Sequence, residues 1–476
     1  MPRSLSTNLL SFALLMPLSF FAYPQQPTMP DMPGMDMDSM HHEKPQSPMK
    51  MNMMQQPTNL IEAQLNHLSS GTSIEPASTP MYMLMSHRAG WMLMLHGTAF
   101  VANIQQQAST PQTDASTGET PARRGGNKFF STNWIMPMAM RQLGPGQLTL
   151  RAMFSLEPAT ITDRQYPLLF QQGETAFGKP IIDGQHPHNF FMEVAALYDI
   201  RTSEHTLLSF YAAPVGDPSI GPIAYPHRMS ASENPVAALG HHQQDSTHIA
   251  FNVVTAGFTW RSLRVEGSGF HGGEPGEQRW QFQPSPNGLA IDSYSTRITF
   301  SPAQNWSGQY SIAHITSPEA LYPGEDQQRQ TASAMYNRPF GAKDSNGNSS
   351  GNWASTLLWG RTRSLTDDHK TNSYLAESLV KFASHNYAWT RIENAGRSNE
   401  LLISPGNPLP PNFTEEPIGH VQAYTFGYDR DFRITPHLMA APGAQFTVYS
   451  TSEPLRPTYG DHPFGVVMFV RFRLVQ

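Results

Sequence analysis

The sequence predicts an all-β protein: a single antiparallel transmembrane β-barrel of about 16 strands with long outward loops, preceded by a disordered tail. Three observations predict this class. Segments of about ten residues alternate apolar and polar side chains, a period typical of strands that cross a bilayer. Short and long connections alternate along the chain, as they do in outer-membrane barrels. No segment approaches roughly 18 consecutive apolar residues, so an ordinary membrane-spanning helix is not expected.

The first 23 residues are typical of an export signal. Arg3 precedes an apolar run from about Leu9 to Ala22, which is short for a membrane-spanning helix. We therefore predict a signal peptide over residues 1–23, with a retained amphipathic anchor as the alternative. The chain has no cysteine and a net charge of −6. The missing thiols are compatible with an oxidising envelope, and the mild negative charge argues against nucleic acid as a partner.

Residues 24–80 have the composition of a disordered periplasmic tail. Proline, methionine, glutamine and serine dominate this stretch, and apolar periodicity is missing from most of it. Only LIEAQLNHL, Leu60 to Leu68, has the apolar spacing of a short helix. The predicted domains are therefore the signal peptide, the tail over 24–80 and the barrel over 81–476.

The last strand shows the barrel pattern most clearly. In GVVMFVRFRLVQ, alternate residues from Val466 to Leu474 form an apolar face, and Arg471 and Arg473 lie on the opposite face. The same pattern predicts sixteen strands, near 91–104, 130–141, 147–157, 189–201, 205–213, 247–260, 261–272, 290–301, 305–316, 329–338, 352–363, 373–383, 386–396, 420–432, 436–449 and 464–474.

The connections between these strands favour a membrane barrel over a soluble propeller or sandwich. Tight turns such as LGPGQ, TSEH and ASHN alternate with long connections, for example 158–188 and 214–246. A propeller would show an internal repeat, and none is visible. One connection breaks the alternation: GAKDSNGNSSGN, Gly341 to Asn352, falls where a short turn is due. It is either an insertion or a sign that the strand count is off by a hairpin.

Aromatic and charged residues support the same architecture. Tryptophan and tyrosine collect at the two membrane interfaces, and tryptophans stand at or near the predicted strand ends at Trp91, Trp134, Trp260, Trp306, Trp353 and Trp389. Charged residues on the polar faces of strands are expected to point into the lumen, namely Arg297, Glu377, Lys381, Arg471 and Arg473. Their mixed signs are compatible with an open pore or with a salt-bridged, closed interior.

The tail offers many soft metal ligands on a flexible backbone. Thioether sulfur selects Cu(I), and imidazole suits copper and zinc. The candidate metal ligands of the tail are Met29, Met32, Met35, Met37, Met40, His41, His42, Met49, Met51, Met53 and Met54. The alternatives are an ordinary linker that happens to be rich in methionine, or a set of residues that scavenge oxidants.

A second group of candidate metal ligands lies in the predicted long loops. In an extended HPH the two imidazoles point the same way, and inward folding of the loops would bring further histidines over the pore. The candidate residues are His186, His188, His227, His241, His242, Asp245, His248 and His271. Their spacing matches no established metal signature. The plainer interpretation is that these imidazoles satisfy loop carbonyls or line a polar lumen.

The tail motifs MPDMPGMDMDSMHH (29–42) and MKMNMM (49–54) resemble those of bacterial outer-membrane proteins of the copper-resistance protein B type. The barrel part, including QQGETAFGKPIIDGQHPHNFF and YPHRMSASENPVAALGHHQQDSTH, resembles an uncharacterised group of bacterial envelope proteins. The chain departs from the usual barrel ending, which is aromatic, because Gln476 is its last residue and Phe472 is the nearest aromatic. The first resemblance implies a metal-binding tail joined to an outer-membrane barrel.

These observations lead to one function hypothesis and two alternatives. The chain is expected to take part in copper or soft-metal resistance, sequestration or export at the bacterial outer membrane, without enzymatic activity. Its expected partners are the lipid bilayer, metal ions and periplasmic metal carriers, and its expected cofactor is copper. The alternatives are a general diffusion porin with no specific metal role, and a barrel-embedded enzyme that uses loop His, Asp and Glu residues. No signature of a nucleophilic enzyme such as GxSxG is present.

Overall fold

A computed structural model of the chain describes residues 56–66, 69–108, 122–245, 250–282, 288, 290–344 and 347–476. Within these residues, sixteen long antiparallel strands form one sheet that closes on itself. The first and last of them close the barrel in a continuous register from Thr98 opposite Arg473 to Gln107 opposite Phe464. The predicted all-β barrel of about 16 strands is confirmed.

The barrel strands are numbered here along the chain. They are β1 (Trp91–Gln107), β2 (Gly125–Leu143), β3 (Gly146–Phe154), β4 (Phe191–Ser203), β5 (Thr206–Gly216), β6 (Ala250–Trp260), β7 (Leu263–His271), β8 (Ser293–Phe300), β9 (Trp306–Ile315), β10 (Gln327–Lys343), β11 (Ser349–Ser364), β12 (Lys370–Phe382), β13 (Asn386–Ser398), β14 (Pro417–Arg430), β15 (Leu438–Ser450) and β16 (Phe464–Leu474).

Shorter elements complete the described structure. A short strand, Leu84–Arg88, pairs with the start of β1, and Phe432–Thr435 pairs with β15. Two small ladders join Tyr166–Pro167 to Gly184–Gln185 and Thr175–Ala176 to Lys179–Pro180. The α-helices are α1 (Leu60–Asn66), α2 (Glu157–Thr160), α3 (His241–Gln244) and α4 (Arg456–Tyr459), and the 3₁₀-helices are Tyr225–His227, Met229–Ala231, Asn399–Leu402 and Glu453–Leu455. Across the described ranges, no helix has the length and apolar character needed to cross a membrane.

The connection that appeared to break the alternation is a hairpin. Strands β10 and β11 continue through most of Gly341–Asn352 and pair as far as Lys343 opposite Ser349. Only five residues, 344–348, separate the two strands, so the connection is short, as its position requires. We call the end of the barrel with such turns the short-turn end and the opposite end the long-loop end.

The two faces of the wall differ as the period of two requires. In β16, Arg471 is fully buried on the lumen side, whereas Met468 is 53% exposed on the outside. Arg297, Glu377 and Arg473 were also predicted to point into the lumen. All three are buried, which confirms the prediction. A closed barrel with an apolar exterior satisfies all strand hydrogen bonds while meeting lipid. The chain is an outer-membrane β-barrel.

The tryptophans divide between the two faces. Trp306, Tyr336 and Trp353 form a chain of ring contacts on the outside near the short-turn end, with centroids 4.8 and 5.4 Å apart. Trp134 and Trp389, in contrast, face the lumen: Trp389 is 5% exposed. The assignment of these two residues to a membrane interface was wrong, because closeness to a strand end does not determine on which side of the sheet a side chain lies.

Part of the segment assigned to the disordered tail lies inside the barrel. Its described residues, 56–66 and 69–80, are called here the N-terminal segment. The segment contains the predicted short helix, α1, which begins after Asn59, whose side-chain oxygen accepts from Glu62 N at 3.0 Å. Residues before 56, including the predicted signal peptide and most of the predicted tail, lie outside the described residues.

Buried polar residues of the wall hold the N-terminal segment. Gly71 N donates to Glu193 Oε1 at 2.9 Å, and Arg297 Nη2 donates to Thr72 Oγ1 at 2.8 Å. A composition without apolar periodicity suggested disorder. In this lumen, however, charged wall residues supply the partners that an apolar core does not.

Candidate metal centre

The connection between β5 and β6 folds into the lumen. Its described residues, 217–245, are called here the plug loop, and most of them are buried. The loop hydrogen-bonds to seven strands through the pairs Ser219–Ser268, Gly221–Ser311, Ser230–Thr356, Arg228–Glu377, Val236–Arg391, Pro235–Thr132 and Glu233–Arg473. A loop bonded to β2, β7, β9, β11, β12, β13 and β16 crosses the interior of the barrel.

Buried ion pairs anchor the plug loop to the wall. Arg228 Nε lies 2.6 Å from Glu377 Oε1, and Arg391 Nε lies 3.1 Å from Glu377 Oε2. Five residues further along the loop, Glu233 pairs with Arg471 and Arg473. Buried charges remain charged only when they are paired, so the position of the loop is tied to these wall residues.

Three imidazoles converge where the plug loop meets the connection between β3 and β4. His186 comes from that connection, and His241 and His242 come from α3 of the plug loop. Their ligand atoms all lie within 4.8 Å of one another. Glu174 Oε1 lies 3.1 Å from His186 Nε2 and 3.4 Å from His242 Nε2. We call these four residues the histidine cluster.

Backbone carbonyls orient two of the rings. His186 Nδ1 lies 2.9 Å from Pro187 O, and His241 Nδ1 lies 3.0 Å from Ala238 O. A carbonyl only accepts, so in both rings Nδ1 carries a proton, and the nitrogen left to bind an ion is Nε2. Metal-binding histidines are commonly held in this way, by a hydrogen bond from the ring nitrogen that does not bind the ion.

The charges around the cluster also suit metal ligands. Burial lowers the pKa of His242 to about 3, against the opposing attraction of Glu174, so the ring is neutral at pH 7. Burial alone would raise the pKa of Glu174, but the neighbouring His186, His242 and Arg279 hold it well below its usual range. Imidazole nitrogens and a carboxylate form a donor set for a borderline divalent ion such as Cu²⁺, Zn²⁺ or Ni²⁺.

The other predicted loop ligands do not join this cluster. His188 Nδ1 lies 2.9 Å from Glu157 Oε1, and His271 Nδ1 lies 2.9 Å from Asp292 Oδ2. Asp245 Oδ2 accepts from Tyr225 N at 3.1 Å and lies 3.7 Å from Arg228 Nη1.

His227 Nε2 lies 2.9 Å from Met153 Sδ, close to the ring of Trp134. His248 and the tail residues from Met29 to Met54 lie outside the described residues.

Sequence reasoning missed Glu174. It stands in QQGETAFG, twelve residues before His186, and no motif spacing links it to the histidines. Only the inward folding of two separate loops brings it to them.

No family model and no curated protein matches the sequence. Among solved structures, the chain is similar to the anion-selective porin from Comamonas acidovorans, with a TM-score of 0.45, 11% identity and coverage of 80% of this chain and 99% of that one. It is also similar to Salmonella typhi OmpF in complex with daunomycin, with a TM-score of 0.46, 10% identity and coverage of 82% and 100%. For the outer membrane channel DcaP of Acinetobacter baumannii the TM-score is 0.41, the identity 9% and the coverage 83% and 100%. Likenesses this distant carry no information about what this chain binds.

Proposed function

We propose that this outer-membrane barrel binds transition-metal ions and takes part in copper resistance, sequestration or export. The observation that carries the proposal is the histidine cluster, in which His186, His241, His242 and Glu174 meet inside a barrel crossed by the plug loop. Three imidazoles beside a carboxylate, two of them oriented by backbone carbonyls, form a common type of metal site.

The chemistry of two separate donor sets favours copper. The histidine cluster offers imidazole and carboxylate, which suit Cu(II) as well as Zn(II). The tail residues Met29–Met54 offer mainly thioethers, which select Cu(I). Copper is the metal whose two common oxidation states match both sets. The short turns of such barrels face the periplasm. In an export role the metal would therefore enter from the periplasm, and a periplasmic metal carrier would be needed to deliver it.

The plug loop weighs against the alternative of a general diffusion porin. A barrel of about 16 strands is wide enough to hold an aqueous channel. Here, however, Pro235, Ser219 and Arg228 of the loop bond to β2, β7 and β12, which are spaced around the wall. We therefore expect low ionic conductance with the loop in place.

Metal binding to the purified full chain tests the proposal. The variant His186→Asn/His241→Asn/His242→Asn should lose one tightly bound Cu(II) or Zn(II) per chain in equilibrium dialysis. The matched control is His369→Asn, because His369 is a loop histidine that pairs with Asp367 outside the cluster. Equal divalent-metal binding by the triple variant and the wild type would overturn the proposed site.

A cellular measurement separates the copper role from the porin alternative. Under the proposal, deletion of residues 24–56 or the triple histidine variant should lower copper tolerance, and planar-bilayer conductance of the wild type should be small. A large conductance combined with unchanged copper tolerance in both variants would instead support a porin.

A further inference from the structure

Methionines cover one sector of the lumen wall. They are buried side chains on the inner face of β1, β2 and β3, called here the methionine face: Met92, Met94, Met136, Met138, Met140 and Met153. Met81 and Met83, which follow the N-terminal segment, pack against this face from inside. The sector differs from the rest of the lumen, where serine, threonine, arginine and glutamate dominate the inward positions of the described strands.

The strand register places these side chains in rows. Directly opposed residues on β1 and β2 are Met92 and Met140, Met94 and Met138, and His96 and Met136. Opposed residues on one face of an antiparallel pair have Cβ atoms about 4.5–5.5 Å apart, within reach of long side chains. Thioether sulfurs from neighbouring strands can therefore approach a single small ion.

The outer face of the same strands provides an internal comparison. Outward positions between the methionines hold ordinary apolar residues, namely Leu93, Leu95, Ile135, Pro137 and Ala139. Leucine and methionine have similar volumes and replace each other at small cost. Packing alone would thus be served by leucine on the inner face as well, and the difference between the faces points to a use for sulfur.

Two histidines bring nitrogen donors to the methionine face. The side chain of His96 is 6% exposed, and its Nε2 has no hydrogen-bond partner among the residues that the structure describes. His227 Nε2 lies 2.9 Å from Met153 Sδ. Both histidines line a cavity of about 150 Å³, together with Met81, Trp134 and Met229. A buried imidazole nitrogen without a hydrogen-bond partner, on a residue that lines a cavity and lies opposite a thioether, is a ready ligand.

We propose that His96 and His227, which line this cavity, form a binding site for a soft monovalent ion, Cu(I) or Ag(I), together with Met136 and Met153. Met136 lies opposite His96 on the neighbouring strand, and Met153 contacts His227. Thioether and imidazole are the donors that such ions prefer. These donors carry no negative charge. An ion must lose its water to enter a buried site, and neutral donors compensate that cost more readily for a monovalent ion than for a divalent one. The site goes beyond the proposed function and does not rest on the histidine cluster, which uses other residues and a divalent ion.

Silver tests the site without a reductant. The full chain is purified in detergent in chloride-free buffer, and its thermal unfolding midpoint is measured with and without Ag(I). An ion that binds the folded barrel raises this midpoint, whereas an ion bound equally by the folded and unfolded chain does not. We expect Ag(I) to raise the midpoint of the wild type and the variant Met136→Leu/Met153→Leu to bind Ag(I) about tenfold or more weakly.

The matched control is Met335→Leu, because Met335 is a buried methionine on β10, outside the methionine face. The variant His96→Asn provides a second test that leaves every sulfur in place. Gel mobility with and without boiling establishes that each variant is folded.

An unchanged Ag(I) effect in both Met136→Leu/Met153→Leu and His96→Asn would overturn the proposal. Loss of the Ag(I) effect with intact Zn(II) binding would support this site independently of the histidine cluster.

Discussion

The lumen wall has two sectors built on the same strand pattern with opposite chemistry. On the methionine face, the inward side chains of β1 and β2 are neutral sulfurs that pack against the N-terminal part of the chain. In β7, β8, β12, β13 and β16, which we call the charged sector, inward positions hold arginine and glutamate. The period of two fixes only which side chains point inward. The contacts that these side chains make depend on which segment of the chain packs against each sector inside the lumen.

The charged sector works by pairing. Glu266 accepts from Arg264 at 3.0 Å and from Arg297 at 2.9 Å, and both arginines are buried. The remaining donors of Arg297 reach the N-terminal segment at Thr72. This sector therefore fixes the N-terminal segment and the plug loop, while a cavity lies beside His96 near the methionine face.

The largest effect should come from breaking a pair in the charged sector. Glu377→Gln removes the carboxylate that faces Arg228 and Arg391, leaving two buried guanidinium groups without their shared partner. We expect the free energy of unfolding, measured by urea titration, to fall by roughly 3–5 kcal/mol. Glu204→Gln in an exposed turn is the control. A change in Glu377→Gln no larger than in the control would show that the pairing does not hold the plug loop.

A smaller effect is expected where the plug loop rests on the wall. A Cβ added at Gly360 of β11 would lie 2.6 Å from the carbonyl carbon of Gln243, in the helix that carries His241 and His242. Gly360→Ala should displace α3, destabilise the fold by roughly 1–3 kcal/mol and weaken divalent-metal binding in dialysis.

Gly267→Ala is the control for this variant, because a Cβ there approaches nothing closer than 3.9 Å. Unchanged metal affinity in Gly360→Ala would show that metal binding by the histidine cluster does not depend on how α3 packs against β11.

The methionine face should tolerate substitutions that preserve volume. Met138→Leu keeps an apolar side chain of similar size at a buried position, so the free energy of unfolding should change by less than about 1.5 kcal/mol. Urea titration beside Glu377→Gln gives the contrast between the two sectors directly. A loss in Met138→Leu as large as in Glu377→Gln would mean that sulfur is needed for packing and would remove the internal comparison between the two faces.

The smallest effect is expected for a charge pair that is exposed to solvent. Lys128 Nζ lies 2.8 Å from Asp163 Oδ2, and the side chain of Asp163 is 78% exposed. Asp163→Asn should change the free energy of unfolding by less than about 1 kcal/mol, because water screens the pair. An effect comparable to that of Glu377→Gln would contradict the claim that burial, rather than charge pairing itself, makes the charged sector strong.

The wall could be predicted from the sequence because its signals are local. Alternation within GVVMFVRFRLVQ predicts the lumen side of Arg471 and Arg473, and the tight turns predict the order of the strands. The contents of the lumen could not be predicted in this way. The partners of Arg228 and Gly71 lie 149 and 122 residues away, and no local period encodes such pairs.

The candidate site was predictable in part. The histidines of HPH and GHH suggested a meeting of loops, and the structure brings His186, His241 and His242 together, although metal binding remains a prediction. No sequence motif indicated that Glu174 would join these histidines. The methionine face did have one, because WMLML and WIMPMAM alternate with a period of two. The soft-metal prediction was instead assigned to residues before 55, because the tail is rich in methionine.

The pairing of β1 with β16 has a consequence for biogenesis. The seam joins the first barrel strand to the last, so the cylinder cannot shut until the final eleven-residue strand has been synthesised. Contacts this distant in sequence form slowly. The N-terminal segment and the plug loop must therefore be enclosed as the seam forms, and a delay at that step would expose their polar groups before they acquire partners.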